Sequence, residues 1–216
     1  VARYGEKVRY FYQANSGVSV ARNRALRASS GVFVAYLDAD DLWYPQKLDR
    51  QMQFFDAHAE CGLLHSDVSV IDEQDQILYA RFNVETAGAV PHGYCTQGLL
   101  RRCHIQTPTV VERRECIEKV GDFDERLPVT QDYMHWLRIA LNGWAVGYID
   151  EPLAKYRWRA GSLMSSKRRV LEDHTRMFGT LLAEQYLDHA LSHEEKAIIH
   201  ERFMSAEREL AYLDRL

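Results

Sequence analysis

Three aspartates lie within four residues of the sequence, at Asp38, Asp40 and Asp41, directly after the apolar run 32–35. Carboxylates this close repel one another, and removing them from water is costly. A hard cation such as Mg²⁺ or Mn²⁺ would relieve the repulsion, because an Asp-x-Asp segment that leaves a strand can aim two carboxylates at one ion. The segment therefore predicts a metal site. Two other interpretations stay open: Asp41 caps the helix that Pro45 begins, or Asp38 accepts hydrogen bonds in a turn.

The elements that must position this cluster are a strand, a helix and a second strand. Residues 8–12 are rich in β-branched and aromatic side chains, which predicts a short strand. Ser19 is expected to cap a helix that ends near residue 29. The nearly all-apolar segment 32–37 is expected to be a strand buried on both faces of a parallel sheet, which completes a βαβ unit. Ligands of open α/β sheets bind beyond the carboxyl ends of the strands, where the aspartates lie.

The remainder of the chain is predicted to alternate between helices and strands. Pro45 favours a helix start, and that helix should direct Leu48, Met52 and Phe55 inward. Helices are expected over about 45–58, 97–103, 114–120 and 131–141, strands over about 62–70, 76–80, 109–111 and 144–149, and two more helices from residue 165 onward with a break near 189–193.

The composition is that of a soluble globular domain. The 216 residues are 46% hydrophobic and 27% charged, with a formal net charge of -4. This balance argues against a nucleic-acid partner, which usually requires a basic surface. No apolar run approaches the ~20 residues that span a bilayer. The four cysteines form no C-x-x-C pair, so we expect reduced thiols in a cytoplasmic protein. Peripheral attachment to the inner face of the membrane stays an open alternative.

Four blocks of sequence carry a family resemblance. They are NSGVSVARNRALRASSGVFVAYLDADDLWYPQKL (15–48), VGDFDE (120–125), TQDYMHWLR (130–138) and PLAKYR (152–157). In this order they resemble the signature of family two glycosyltransferases, which are inverting enzymes with the GT-A fold. The resemblance implies an α/β, Rossmann-like mixed sheet flanked by helices, followed by C-terminal helices. It implies a catalytic domain over 1–160 and a helical extension over 161–216.

Members of this family begin with additional strands. Full-length members start with a strand of the type SVIIPxYN and continue to a strand that ends in DDGSTD, and these segments carry base and ribose contacts. The present sequence opens with VARYGEKVRYFY, which matches neither. We therefore expect the chain to be an N-terminally truncated fragment of a longer enzyme.

The resemblance also implies a donor site for a nucleotide-diphosphate sugar together with Mn²⁺ or Mg²⁺. Asp40 would ligate the metal that bridges the two phosphates of the donor, and Asp38 would support the metal or the ribose. Arg22 would contact a phosphate or the base, with a salt bridge inside the domain as an equal alternative. The donor-binding residues implied in this way are Gly17, Ala21, Arg22, Asp38, Ala39 and Asp40.

Asp132 is the candidate catalytic base. Transfer of a sugar to an acceptor hydroxyl needs a group that takes the hydroxyl proton, a step worth about 10²–10⁴-fold in rate. Asp132 lies at the start of the predicted helix 131–141, where the helix dipole favours an ionised carboxylate. Capping of the helix N-terminus or compensation of its dipole is the structural alternative, and the resemblance favours the base. Direct displacement would invert the anomeric centre. The implied acceptor is a glycan or a lipid-linked molecule in cell-surface polysaccharide or glycolipid synthesis.

Two further segments border the predicted site. Thr107–Thr109 falls where the family lines its acceptor side, and Arg159 stands where many relatives carry a histidine. An arginine binds phosphate through two parallel hydrogen bonds but is not a metal ligand. Trp43 and Trp136 are expected in the core rather than as platforms for sugar rings.

Two alternative functions use the same residues. A non-catalytic or degenerate relative would bind the nucleotide without transferring a sugar. A metal-dependent phosphohydrolase or nucleotidyltransferase would use the aspartates of segment 38–41 but would release phosphate or join a nucleotide. The motifs leave the donor sugar, its base and the acceptor open.

Overall fold

A mixed six-stranded sheet organises the chain. The computed structural model describes residues 5, 7–159, 161, 166–183 and 191–215. The strand order is β1-β5-β3-β6-β2, with β4 paired to β3; β3 and β6 run parallel, and the other pairs are antiparallel. The strands are β1 (Phe33–Ala35), β2 (Leu42–Trp43), β3 (Cys61–Ile71), β4 (Ile77–Tyr79), β5 (Val111–Arg113) and β6 (Ala145–Arg157).

Helices flank this sheet and follow it. The helices are α1 (Val18–Ala28), α2 (Lys47–Ala57), α3 (Phe82–Ala87), α4 (Thr96–Arg101), α5 (Arg114–Val120), α6 (Gln131–Leu141), α7 (Lys167–Ala183) and α8 (His193–Leu213), with a 3₁₀ turn over Thr107–Thr109. The predictions for 114–120 and 131–141 coincide with α5 and α6, whereas α3 and β2 were not predicted. The predicted break near 189–193 falls partly outside the described residues.

The central strand pair explains why the sheet reaches the acidic cluster. Every residue of β3 is buried, as expected of a strand with neighbours on both sides. The strand predicted over 144–149 continues to Arg157, because the register shifts between Ser66 and Asp67 and places Asp67 opposite Pro152. This irregularity accommodates a proline, which has no N–H to donate. The longer strand β6 brings Arg157 next to the loop that holds Asp40 and Asp41.

The predicted βαβ unit at the N-terminal end is wrong. Residues 8–12 form no strand, and the side chains of Tyr10 and Tyr12 are 68% and 76% exposed. A strand needs a partner for its backbone hydrogen bonds, and among the described residues none pairs with this segment. Ser19 does not cap α1, since Gly17 occupies that position. The strand predicted over 32–37 is shortened to β1, which is half-buried and pairs antiparallel with β5.

Helix α2 buries Phe55 and partly buries Met52, as predicted, but its buried face includes two polar residues and excludes Leu48. Leu48 is 43% exposed, while Lys47 and Gln51 are fully buried beside Phe55. The Lys47 Nζ lies 4.4 Å from the centre of the Trp43 ring and 2.6 Å from the Oε1 of Gln51. These contacts replace water around the ammonium group, and burial lowers the pKa of Lys47 to about 7.

The main hydrophobic core lies around α6, whose central residues are almost all buried. Trp136, predicted to be a core residue, is 0% exposed. The rings of Tyr133 and Phe178 meet edge to face at 6.2 Å, which packs α7 against α6. Ile198 and Ile199 of α8 belong to the same buried cluster.

The domain boundary near residue 160 stays a prediction. Among the described helices, none has both the length and the apolar character to cross a membrane.

Candidate active site

The acidic loop 36–41 follows β1 and separates its three carboxylates. The side chains of Asp38 and Asp40 are 39% and 30% exposed, whereas Asp41 is buried. The N–H of Asp41 donates to the carbonyl of Asp38 at 3.1 Å, so the chain turns here. Ala39 lies at the exposed tip of this turn. The turn therefore directs two carboxylates toward solvent and one into the protein.

Arg22 of α1 holds the first of these carboxylates. Its Nη2 lies 2.9 Å from both carboxylate oxygens of Asp38. Its guanidinium carbon lies 5.6 Å from the centre of the Phe123 ring. Its Nη1 lies 3.0 Å from the side-chain amide of Gln131, whose oxygen accepts when the amide is assigned the orientation that satisfies both of its partners. Arg22 therefore forms the salt bridge inside the domain that the sequence analysis gave as an alternative to a phosphate or base contact. The same guanidinium connects α1, the acidic loop and the start of α6.

An open cavity of about 380 Å³ lies between α1 and β1, and its wall includes Ala21, Arg22 and Asp38. This volume lies within the range of small-molecule sites. Three of the predicted donor-binding residues thus share one cavity. Gly17 lies at the N-terminal end of α1, outside the cavity wall, with φ of 91°, a conformation that glycine adopts without strain.

The end of β6 supplies two guanidinium groups to the acidic loop. The Nε of Arg157 donates to the carbonyl oxygen of Asp40 at 2.9 Å. Arg159 forms an ion pair with the carboxylate of Asp40. Both exposed aspartates therefore have an arginine partner, Asp38 from α1 and Asp40 from the segment after β6.

Asp41 fastens the loop to β6 and does not cap a helix. Its Oδ1 accepts the backbone N–H of Arg157 at 2.9 Å, and Gln46 occupies the cap position of α2. Its Oδ2 is buried and has no hydrogen-bond partner among the described residues. Burial, followed by the charges of Asp40 and Asp38, raises the pKa of Asp41 to about 7. The carboxyl group is thus poised to titrate near neutral pH.

Asp132 lies in the first turn of α6, beside the segment predicted to line the acceptor side. The hydroxyl of Thr107 donates to its Oδ2 at 2.8 Å. The backbone N–H of Tyr133 donates to its Oδ1 at 2.7 Å. Both carboxylate oxygens are therefore oriented, one by a side chain and one by the helix terminus.

Tyr156 of β6 responds to the charges of both groups of carboxylates. Burial, followed by the charges of Asp41, Asp132, Asp38 and Asp40 in that order, raises the pKa of its hydroxyl to about 12. All four carboxylates are therefore close enough to act on one phenol. The structure thus brings the acidic loop and Asp132 to one place, although almost a hundred residues separate them in sequence.

A buried hydrogen-bond network lies behind this site. Glu112 of β5 accepts from the hydroxyl of Tyr36 and from the Nε2 of His135, the latter at 3.1 Å. All three side chains are buried. Tyr36 lies two residues before Asp38, and His135 lies one helical turn after Asp132. Glu112 therefore links the backbone segments that carry the two halves of the site.

Comparison with known proteins places this geometry in a family. A family model described as "Glycosyl transferase family 2" matches residues 1–114, which include the acidic loop and α1. The chain belongs to this family. An uncharacterized glycosyltransferase of Methanocaldococcus jannaschii is 30% identical over 149 residues, which are 67% of this chain and 48% of that protein. TuaG of Bacillus subtilis, whose name connects it with teichuronic acid biosynthesis, is 29% identical over 168 residues, 75% of this chain and 61% of TuaG.

Solved structures share the fold of this family 2 chain. S. aureus TarS 1-349 in complex with UDP-GlcNAc aligns with a TM-score of 0.66 and 18% identity, over 96% of this chain and 59% of that one. The mannosyltransferase PcManGT from Pyrobaculum calidifontis, solved with GDP-Man and Mn²⁺, aligns with a TM-score of 0.57 and 18% identity, over 92% of this chain and 55% of that one. The expected GT-A fold is confirmed. The chain spans less than two-thirds of the length of these proteins.

The donor set of this family 2 site fits a metal that is shared with substrate. Carboxylate oxygens such as those of Asp38 and Asp40 are the ligands that Mg²⁺ and Mn²⁺ prefer. Within the described part of the chain, no group of three or more His, Cys, Asp or Glu side chains is arranged to hold a metal ion. Such an ion would need oxygens from the diphosphate of a donor to complete its coordination. Arg159 would have to release or share Asp40.

Sequence reasoning missed two residues of the site. Tyr156 lies in the PLAKYR block, but its position among four carboxylates depends on the bulged path of β6. Glu112 belongs to a short strand and carries no local signal of its function. Its position directly after Val110 and Val111 is the one available clue, because a glutamate that such a strand buries requires partners.

Proposed function

We propose that this chain carries the active site of an inverting glycosyltransferase, which moves a sugar from a nucleotide-diphosphate sugar to an acceptor hydroxyl. The observation that carries the proposal is that Arg22 joins Asp38 to Gln131, the neighbour of Asp132, so that the acidic loop and the start of α6 lie side by side. Membership of glycosyl transferase family 2 supports it. The two exposed aspartates suit the donor phosphates, and the third suits proton removal from the acceptor.

The donor would lie along the cavity beside Ala21 and Arg22. Arg22 and Arg159 are the guanidinium groups nearest to Asp38 and Asp40, and each suits a phosphate oxygen. A divalent metal bound at Asp38 and Asp40 would neutralise the charge that builds on the leaving diphosphate. The solved complexes of TarS with UDP-GlcNAc and of PcManGT with GDP-Man and Mn²⁺ support this class of donor.

Asp132 would act as the general base. Its carboxylate takes the proton of the acceptor hydroxyl as the acceptor oxygen bonds to the anomeric carbon and the bond to the diphosphate breaks. Thr107 and the N–H of Tyr133 fix the orientation of that carboxylate. One displacement inverts the anomeric centre, so an α-linked donor gives a β-linked product.

The biological setting that we propose is cell-surface polysaccharide or glycolipid synthesis. The acceptor would be a glycan or a lipid-linked molecule, and the reaction would take place in the cytoplasm or at the inner face of the membrane. The similarity to TuaG, with its link to teichuronic acid, supports a polysaccharide acceptor.

The test is thermal unfolding with UDP, GDP, TDP and CDP, each with and without Mn²⁺. A ligand at 100 times its dissociation constant adds about 2.7 kcal/mol of stability. We expect one nucleotide to raise the Tm, and Mn²⁺ to enlarge that increase. In the variant Asp40→Ala, Mn²⁺ should add nothing to the effect of the nucleotide. An unchanged Tm with every nucleotide, both in this chain and in one extended at its N-terminal end, would overturn the proposal.

Product analysis with the matching nucleotide sugar then separates the alternative functions. Transfer to an acceptor releases the nucleoside diphosphate and a glycosylated product. Release of inorganic phosphate or a nucleotidyl product would instead indicate a phosphohydrolase or a nucleotidyltransferase. Nucleotide binding without any product would indicate a binding module.

A further inference from the structure

Three aromatic rings form a cluster beside the candidate site, and we call Tyr79, Phe82 and Trp158 the aromatic platform. Trp158 is exposed, and the other two are partly buried. The ring centres of Tyr79 and Phe82 lie 5.3 Å apart, and Trp158 lies 5.6 Å from each. All three pairs meet edge to face, which is a favoured arrangement for aromatic rings. The rings therefore support one another without burial in the core.

Trp158 differs in exposure from the other tryptophans. It is 40% exposed, whereas Trp136 is completely buried. Trp43 is partly buried, and its ring covers the ammonium group of Lys47. Trp144 is partly buried as well. Among the four tryptophans, Trp158 thus offers the largest open ring surface.

The aromatic platform borders both halves of the candidate site. Trp158 lies between Arg157 and Arg159, which contact the backbone and the side chain of Asp40. Phe82 precedes Asn83, whose side-chain amide exchanges hydrogen bonds of 3.1 and 3.3 Å with that of Gln106.

Gln106 in turn precedes Thr107, which holds Asp132. One end of the platform is therefore tied to the metal-binding loop and the other to the candidate base.

We propose that the aromatic platform binds a pyranose ring of the acceptor glycan; this rests on the proposed function. A pyranose presents a face of C–H groups that packs on the electron-rich face of an aromatic ring. Its hydroxyl groups remain at the edge, where Arg81 and Arg159 are partly exposed donors. An aromatic surface with charged donors at its edge suits a sugar ring better than a lipid chain, which offers no hydrogen-bond partner to those donors.

The test follows the indole N–H signals by NMR, because the chain has four tryptophans. The variant Trp158→Phe assigns the Trp158 signal by its loss. The probes are methyl β-glucopyranoside, methyl N-acetyl-β-glucosaminide, cellobiose and chitobiose. We expect at least one probe to shift the Trp158 signal in a saturable manner, while the signals of Trp136 and Trp144 stay in place.

Saturation transfer from the protein to the bound sugar provides a second readout with matched variants. Trp158→Ala should abolish the transfer to the sugar protons. Ile77→Ser should preserve it, because Ile77 is exposed on the neighbouring strand but lies outside the three rings. Both variants should keep the nucleotide-dependent Tm increase, which shows that each is folded.

The outcomes separate this inference from the proposed function. If a nucleotide raises the Tm but none of the four probes moves the Trp158 signal, the platform is not a sugar site and the proposed function stands. If phosphatidylglycerol vesicles broaden the Trp158 signal and the sugars do not, the surface contacts membranes and the inference is wrong. If no nucleotide binds, the proposed function itself fails.

Discussion

The backbone N–H of Arg157 donates a hydrogen bond of 2.9 Å to the carboxylate of Asp41. This contact joins the end of β6 to the acidic loop and places the two guanidinium groups of that segment beside Asp40. Formation of the contact buries a carboxyl group whose second oxygen has no partner among the described residues. The site therefore gains its geometry by keeping an acid in an environment that disfavours its charge.

The first prediction concerns the pH dependence of stability. The pKa of Asp41 is raised to about 7 in the folded protein, against about 3.9 in an unfolded chain. The folded state therefore holds this proton more tightly. The stability that results is fully present below about pH 4 and is lost as the pH rises through about 7. Asp41→Asn, which keeps the acceptor for Arg157 but carries no charge, should equal the wild type in Tm at pH 4 and exceed it at pH 8.

Thermal unfolding in metal-free buffer across this pH range checks the prediction. Asp56→Asn is the matched control, because Asp56 is an exposed aspartate on α2. The Tm difference between Asp56→Asn and the wild type should be the same at pH 4 and at pH 8. A constant difference between Asp41→Asn and the wild type would contradict the assignment.

The second prediction concerns the candidate base. Asp132→Asn should lower the rate of sugar transfer by about 10²–10⁴-fold, the usual contribution of general base catalysis. The amide oxygen can still accept from Thr107, so the Tm increase caused by the nucleotide should persist. Asp49→Asn removes a carboxylate from the first turn of α2, an equivalent helix position outside the site. Equal transfer rates for the two variants would refute the function of Asp132.

The third prediction concerns metal binding at Asp40. Arg159 forms an ion pair with this carboxylate and competes with any cation there. Arg159→Ala should therefore raise the affinity of the nucleotide-free protein for Mn²⁺. The increase should be about 1.4- to fivefold, because exposed ion pairs contribute ~0.2–1 kcal/mol.

Electron paramagnetic resonance of free Mn²⁺ measures this affinity directly. Arg50→Ala is the control, since Arg50 pairs with Glu151 at 2.6 Å on another part of the surface. An unchanged or weaker affinity in Arg159→Ala would show that the ion pair does not oppose the metal.

The sequence predicted helices more reliably than strand pairing. The bounds of α5 and α6 follow from local signals, namely a 3.6-residue apolar period in α6 and a glycine or asparagine at its end. The partner of β1 is β5, a strand far along the chain, and no local pattern indicates an antiparallel pairing over such a distance. The burial of Lys47 was not predicted, because its environment comes from Trp43 and Gln51 in the folded chain.

The same division applies to the candidate site. Asp38 and Asp40 are recognisable because the two residues are adjacent to one apolar strand and share a motif. Asp132 required the family resemblance, because a carboxylate in the first turn of a helix is common for structural reasons. The function of Glu112 could not be predicted from the sequence. It depends on hydrogen bonds from Tyr36 and His135, which only the folded chain brings together.

The fourth prediction tests that buried network. Tyr36 and His135 both direct hydrogen-bond donors at the carboxylate of Glu112. In Glu112→Gln the amide can accept from one of them, while its NH₂ group faces the other donor. One buried polar group then lacks a partner, which costs about 1–3 kcal/mol of unfolding free energy. Urea unfolding should show this loss as a lower midpoint, and the transfer rate should fall because the network links the segments of Asp38 and Asp132.

Glu115→Gln is the matched control, because Glu115 lies three residues away with a side chain that is 60% exposed. Surface substitutions of this kind change stability by about 0.5 kcal/mol or less. If the two variants unfold at the same urea concentration, the carboxylate of Glu112 does not hold the network together. If Glu112→Gln is less stable but transfers sugar at the wild-type rate below its unfolding transition, the network supports the core without positioning the site.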